Sequence, residues 1–373
     1  MRCLHLFFAI LFATVTAQTG AQSPPVMLFQ DGVVHDPEAP SGSRTAFSLM
    51  RLPDGSFAFY NRYAPEKGPV TLPDASGNLH AILPHLPPEI LNSPAILHSG
   101  VLNATQVILT AENVVHRVFV KSEALTADEI KKVGLPRYLD VWFQQSDLNE
   151  AQEPKMIWRG YNGSQMEYQQ ISHGRILVPF GSFQPHGKSV PPHGRHKTVI
   201  QYSDDAGTTW KESASQLISP CYDGFNGSNE GACEPAFEAL DNGDLWMLMR
   251  TQAGFLYESS SIDRGTSWSP VRASRFYTST GPPNIMRHRN GWLVVTWNNC
   301  EMPPRADGAG VYGGRDALHI AVSDDEGRTW RGFREIYLDH RRNDNPEKSG
   351  DRGTASPLGA YDQQGRLVIF AGQ

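Results

Sequence analysis

One phrase of eight residues is written three times in this chain of 373 residues: Ser203-Asp204-Asp205-Ala206-Gly207-Thr208-Thr209-Trp210, Ser261-Ile262-Asp263-Arg264-Gly265-Thr266-Ser267-Trp268 and Ser323-Asp324-Asp325-Glu326-Gly327-Arg328-Thr329-Trp330. The copies begin 58 and 62 residues apart, too wide for a solenoid and suited to a large β unit repeated around an axis. Each copy has the makings of a tight turn. The Asp carboxylate can collect backbone N–H groups, the Gly two residues on tolerates a positive φ, and the Trp offers an apolar plate to a neighbouring unit. The phrase lacks the dense run of oxygen ligands that a calcium loop uses, so its expected role is structural.

A second pattern, two apolar strands joined by a turn ending in Gly, recurs at Gly55, Gly174, Gly243, Gly291 and Gly365, with a weaker copy at Gly100. Such turns signal β-hairpins, and six hairpins imply six units. The hairpins at Gly174, Gly243 and Gly291 each precede a copy of the phrase, which makes units three to five complete four-stranded sheets. Ser146-Asp147 ahead of Trp158 reads as the eroded copy of unit two, and Lys121 to Arg137 has the composition of a helical surface insertion. The last unit has little beyond its inner strands before Gln373, so Val26 to Val34 are expected to supply its outer strand and cover an exposed edge.

At 39% hydrophobic the chain can bury one large core. With 33 basic against 39 acidic residues, a net charge of −6 and no basic block, a nucleic-acid partner is not expected. Met1 to Ala21 read as a secretory signal, with Arg2, an apolar run from Leu4 to Val15 and small residues for cleavage. That leaves residues 24–373 as a single exported domain with no later span long enough for a bilayer. Cys3 leaves with the signal. Cys221 and Cys233 flank a Gly/Asn-rich loop and either bridge it or remain thiols alongside Cys300. Asn103, Asn162 and Asn226 fit the glycosylation sequon.

Topology sorts the polar residues. With both kinds of turn on one face, the starts of the first and third strands and the ends of the second lie on the opposite face, around an axial mouth. Pairing about Asn242-Gly243 places Pro235 opposite Arg250 and Glu234 opposite Thr251, so Glu234 and Arg250 are neighbours there. Arg315 opens the strand leading to the third phrase, Arg44 opens the first strand of unit one, and Arg62 ends its second. Guanidinium groups from separate units repel unless an anion lies between them, and their planar forks suit a carboxylate.

The phrase resembles the Asp-box, or BNR repeat, of the sialidase (neuraminidase) superfamily. That resemblance implies an all-β, six-bladed β-propeller of four-stranded antiparallel blades with Asp-box turns. Glu234-Pro235-Ala236-Phe237 with Arg250 sixteen residues on looks like the family's Glu and second arginine; Arg315, in Gly313-Gly314-Arg315-Asp316-Ala317-Leu318, looks like the third. Arg44 is the best match to the first, although the usual Arg-Ile-Pro reads Arg44-Thr45-Ala46 here. The resemblance thus implies a secreted exo-acting glycoside hydrolase that needs no cofactor or metal. Its substrate would be a glycan whose sugar carboxylate is held by Arg44, Arg250 and Arg315, with Glu234 at the reacting centre.

The chain also departs from the pattern. The family's nucleophilic Tyr falls at Ser356, and Tyr361 lies five residues along the strand, roughly 17 Å away at ~3.3 Å per residue, too far to substitute. The acid/base Asp is not recognisable, Asp74 being its one candidate. Glu167 and Tyr168, at the start of the third unit's inner strand, form an alternative catalytic pair of carboxylate and phenol. His186, His193 and His196 stand in a Pro/Gly-rich stretch, as a metal site, a general base or a solvated loop. Two alternatives follow: a hydrolase or lyase acting on a uronic-acid polysaccharide through Glu167, Tyr168 and the histidines, or a carbohydrate-binding propeller without catalysis. Trp142, Trp158, Trp246, Trp292 and Trp297 occupy strand positions and read as core.

Overall fold

The computed structural model describes residues 5–11, 27–33, 47–52, 57–61, 71–73, 79–81, 107–110, 114–147, 149–150, 152–163, 169–185, 194–221, 229–278, 281–299, 315, 317–338, 358–361 and 365–370. Arg44, Gly55, Arg62, Asp74, Gly100, Asn103, Glu167, Tyr168, His186, His193, Asn226, Cys300 and Ser356 lie outside the described residues.

Within them the chain is mostly β. It runs through β1 (His5–Leu11), β2 (Met27–Val33), β3 (Phe47–Arg51), β4 (Phe57–Asn61), β5 (Thr71–Pro73), β6 (Leu79–Ala81), β7 (Val107–Leu109) and β8 (Val115–Ala124). The short helix α1 (Ala127–Val133) precedes β9 (Arg137–Ser146), β10 (Lys155–Trp158), β11 (Gln169–Gln170), β12 (Ile176–Gln184), β13 (Gly194–Ser203), β14 (Lys211–Glu212) and β15 (Asn229–Gly231). Then come β16 (Cys233–Ala239), β17 (Leu245–Arg250), β18 (Phe255–Ser261), β19 (Arg272–Tyr277), β20 (Asn284–Arg287), β21 (Leu293–Asn298), β22 (Ala317–Ser323), β23 (Arg331–Leu338), β24 (Leu358–Tyr361) and β25 (Leu367–Phe370).

Four antiparallel four-strand runs follow one another: β7 to β10, β11 to β14, β16 to β19 and β20 to β23. The first is widened by the β3–β4 hairpin through parallel pairing of β3 with β7. The β24–β25 hairpin has β1 beside it, and β1 pairs along its whole length with β2. The strand expected from Val26 to Val34 therefore forms, but the N-terminal strand next to β25 is β1. The arrangement is consistent with the propeller expected from the phrase.

Local chemistry explains the sheets. The turns after β11, β16 and β20 are alike: the Ile171, Leu240 and His288 amides donate to the Arg175, Asp244 and Trp292 carbonyls, each at 2.8 Å. The Gly of each, Gly174, Gly243 or Gly291, sits at φ 77, 86 or 90°, the left-handed position of a three-residue hairpin loop. Each repeated phrase closes in one way. Ser203 Oγ donates to Asp205 Oδ1 and accepts from the Gly207 amide, both at 2.8 Å, while Asp205 accepts from the Thr209 amide and hydroxyl at 2.8 and 2.6 Å. Asp263 and Asp325 repeat the bonds with Ser267 and Thr329. The Thr209 and Thr329 hydroxyls lead in pulling Asp205 and Asp325 down to about 2; for Asp263, burial opposes the Ser267 bonds but does not overcome them. Trp210 packs on Phe143 and Trp330 on Trp246, each in the preceding sheet, with ring centres 5.1 and 5.5 Å apart.

The core lies between successive sheets. Val118, Val141 and Phe143 face Ile176, Val178 and Phe180; Leu177 and Ile200 face Phe237 and Met247; Ala236 and Leu248 face Ile285 and Trp297. Polar side chains stitch the inner strands together. Gln169 Nε2 donates to the Phe237 carbonyl at 2.7 Å, Glu238 Oε2 accepts from the Arg287 amide at 3.0 Å, and Asn284 Oδ1 accepts from the Gly359 amide at 2.9 Å. Arg51, Gln169, Glu238, Asn284 and Gly359 line one shared cavity, so β3, β11, β16, β20 and β24 surround a common space.

Some expectations change. The helix occupies only Ala127–Val133, closed by a Thr126–Glu129 capping box and a left-handed Gly134. Lys121 to Ala124 instead extend β8, because the unbroken register from Val115↔Ser146 to Ala124↔Arg137 overrides local helix preference. Asp147 does hold a turn, accepting from the Asn149 and Glu150 amides at 2.7 and 2.6 Å. Cys221 and Cys233 are not bridged to each other, and Cys233 keeps its thiol. The Asn162 side chain is buried and so is no open acceptor for a glycan. Among the described residues no helix is long and apolar enough to cross a membrane.

Candidate active site

Arg250 ends β17 and pairs with Cys233, the first residue of β16. The hairpin runs in register from Ala239↔Leu245 to Ala236↔Leu248 and then slips before Cys233↔Arg250. The expected facing of Pro235 to Arg250 and Glu234 to Thr251 is thereby corrected, for two reasons. The Gly243 loop holds three residues, and Pro235 has no N–H with which to continue the ladder, so the strand bulges at Glu234–Pro235. Glu234 takes up the bulge at φ 46°, a costly conformation for a residue with a Cβ. It still reaches its expected neighbour: Arg250 Nη1 donates to Glu234 Oε2 at 2.6 Å, with the two side chains 5% and 12% exposed.

Arg315, 3% exposed, stands just ahead of β22, at the end of its sheet where Asn298 pairs with Leu318. Asn298 Nδ2 donates to the carbonyls of Arg315 and Ala317, each at 3.4 Å. The buried Cys233 thiol registers the whole group. Burial pushes it up to about 12, Arg250 pulls it down, Glu234 raises it and Arg315 lowers it. Glu234 and Arg250 are thus bonded at the end of the β16–β17 hairpin, and Arg315 stands at the end of the β21–β22 hairpin in the next sheet.

His196 is not in a solvated loop. It is 1% exposed on β13, its Nδ1 bonds the Gly194 carbonyl at 3.0 Å, and its ring meets Phe183 edge-on. Its strand runs parallel to β15, His196 beside Gly231. A Cβ at Gly231 would stand 2.2 Å from the His196 carbonyl oxygen, so only glycine permits this approach. The Thr198 hydroxyl donates to the Ala232 carbonyl at 3.2 Å. The start of β13 therefore buttresses the segment that delivers Cys233 and Glu234. Among the described residues no group of three or more His, Cys, Asp or Glu side chains could hold a metal ion.

Tyr361 is buried against Phe57 and His288, beside the Gly365 turn, as a core residue. Trp297 is fully buried and Trp158 and Trp246 pack on Phe180 and Phe276. Arg44, Glu167 and Tyr168 lie outside the described residues. Sequence reasoning weighed Cys233 only as half of a bridge or as a spare thiol and missed Asn298, whose one signal was a polar residue closing the mostly apolar strand Leu293 to Trp297.

A family model described as a BNR repeat-like domain matches residues 142–370. No curated protein matches the chain significantly. Among solved structures, the sialidase of Trypanosoma rangeli in complex with the inhibitor DANA is 15% identical over 93% of this chain and 56% of its own, with a TM-score of 0.47. The NanB sialidase of Streptococcus pneumoniae is 15% identical over 63% of this chain, which spans only 32% of that longer protein, at a TM-score of 0.41. A PL25 ulvan lyase is 12% identical over 71% of this chain and 63% of its own, at 0.45.

Proposed function

The chain belongs to the BNR repeat-like family, and from that premise we propose that it is an exported, sialidase-like exo-glycoside hydrolase built on a closed six-bladed propeller with Asp-box turns. Arg250 and Arg315, joined by Arg44, hold the carboxylate of a terminal sugar. The observation that carries this reading is the buried Glu234–Arg250 pair at the end of the β16–β17 hairpin, with the buried Arg315 just ahead of β22 in the next sheet. The planar guanidinium forks of Arg250 and Arg315 suit a ligand carboxylate, which they can bind bidentately. Glu234, locked to Arg250, serves the reacting centre by electrostatics and by fixing the arginine fork. Glu167 and Tyr168 are the candidates for base and nucleophile. The inner strands around one cavity support closure of the ring.

A panel of glycans ending in acidic and neutral sugars, scored for binding and for turnover, tests the reading. Wild type is expected to release an acidic terminus, and Arg250→Lys or Arg315→Lys to weaken acidic-sugar binding by about 10- to 100-fold, the worth of a bidentate charged contact. A protein that neither binds nor cleaves any acidic glycan would refute it. Binding without turnover would leave a carbohydrate-binding propeller.

A further inference from the structure

We propose that Asn298 is the positioning residue for Arg315, setting where its guanidinium fork stands. The inference rests on the carboxylate-binding reading above.

Arg315 stands just ahead of Ala317, the first paired residue of β22, and Asn298 holds its backbone from the side. Its Nδ2 donates to the carbonyls of Arg315 and Ala317. The amide has one workable orientation, because only its NH2 end can satisfy two carbonyl oxygens. The other end fills a slot at Gly281, where a Cβ would stand 2.5 Å from Asn298 Oδ1. Asn298 is itself tied back, its carbonyl accepting from the Thr278 hydroxyl at 3.0 Å, while Trp297 Nε1 donates to the Tyr277 carbonyl at 2.9 Å. Thr278, Asn298 and Arg315 are 1%, 0% and 3% exposed, so water does not compete for these bonds.

A polar brace thus runs from the end of β19 through the end of β21 to the residue that carries the charge. Its apolar neighbour Trp297 belongs to the core between sheets, but Asn298 has no apolar job to do. The lever is long: an Arg side chain carries any backbone displacement to its fork, and a misplacement of about 1 Å at a binding group can cost on the order of 100-fold. Asn298→Asp is the sharpest probe. It keeps the shape yet turns two donors into an oxygen facing two carbonyl oxygens.

The test is calorimetric binding of free N-acetylneuraminic acid and glucuronic acid, with galactose as neutral control, to wild type, Asn298→Asp, Arg315→Lys and the double variant. Asn298→Asp is expected to weaken binding of the acidic sugar by about 10- to 100-fold. In the Arg315→Lys background it should add almost nothing, since the fork it positions is gone. Equal losses in both backgrounds, or no loss in wild type, would overturn the inference. Should Asn298→Asp not fold, Asn298→Ser, too short to reach both carbonyls, takes its place. A second readout needs no ligand: the Arg315 Nε–H resonance should be ordered in wild type and broadened or mobile in the Asn298 variant, and an unchanged resonance would overturn the inference. If wild type binds neither acid while the resonance changes, the carboxylate reading fails and the positioning role stands.

Discussion

Replacing Arg287 with alanine should reveal how much one side chain contributes to holding neighbouring sheets together. Arg287 Nη1 and Nη2 each reach Glu326 at 2.7 Å, Nη2 also reaches the Ala239 carbonyl and Nη1 the Gly291 carbonyl, both again at 2.7 Å. The two charged side chains are 19% and 23% exposed, and Glu326 also accepts from the Asp241 amide at 2.8 Å. Removing one member of a fully buried pair costs about 3–5 kcal/mol. Here some water reaches both ends and Glu326 keeps the Asp241 amide, so Arg287→Ala should cost about 2–4 kcal/mol. Urea unfolding followed by tryptophan fluorescence is a direct assay, because Trp330 in the same turn packs on Trp246 in the preceding sheet. A double-mutant cycle with Glu326→Ala should show coupling of about 1–2 kcal/mol. A loss below about 0.5 kcal/mol, or no coupling, would refute the account. Its pH dependence has a definite sign. The Arg287 bond, more than any other cause, lowers Glu326 below its ordinary 4.5. A depressed acid stabilises fully above its unfolded value and loses that contribution as pH falls through the folded one. The gap between wild type and Arg287→Ala should therefore narrow in acid.

Two glycine substitutions separate backbone strain from collision. Gly243→Ala, at φ 86° with nothing within 4 Å of the new Cβ, should lower stability by about 1–2 kcal/mol. Gly207→Ala, at φ 83° with its Cβ 2.1 Å from Phe143, should cost about 2–5 kcal/mol in the same melts, and equal losses would contradict the packing. Asp325→Ala should speed amide exchange at Thr329, and in wild type that protection should be full above the ordinary 3.8 and fade as pH falls toward about 2. In the native protein at pH 8, iodoacetamide should spare Cys233, whose thiol burial pushes up to about 12, and label the half-buried Cys221; rapid native labelling of Cys233 would show that the site is open.

The sequence disclosed whatever closes within a few residues. The Gly174, Gly243 and Gly291 turns and the three phrases are built from bonds spanning no more than four residues, so their residue types announce them. What failed depended on distant partners. Gln169, Glu238 and Asn284 bond across 68, 49 and 75 residues, and no local pattern sets such residues apart. His196 sits among loop-forming residues, yet parallel pairing with β15 buries it. The pairing of Glu234 with Arg250 was legible from their shared hairpin, whereas its register was not, since the bulge follows from a proline inside the strand.

The repeated phrase also carries information in a position that differs in every copy. The residue before its Gly is Ala206, Arg264 or Glu326, left-handed in every copy at φ 55, 61 and 60°. That conformation aims the side chain away from its own turn and toward the hairpin of the sheet before. Arg264 Nη2 donates to the Ser172 carbonyl at 2.8 Å, while Glu326 accepts from the Asp241 amide at 2.8 Å. One copy is a donor meeting an acceptor, the other an acceptor meeting a donor, so the two sheets are not interchangeable. Exchanging them, Arg264→Glu with Glu326→Arg, preserves composition and net charge yet sets like against like at both places and brings a second guanidinium against Arg287. The Arg264 contact is exposed and worth about 0.5 kcal/mol, whereas the Glu326 side should bring the total loss to about 2–4 kcal/mol. A swapped protein that unfolds at the wild-type urea concentration would mean that the order of the sheets is set by the apolar core alone.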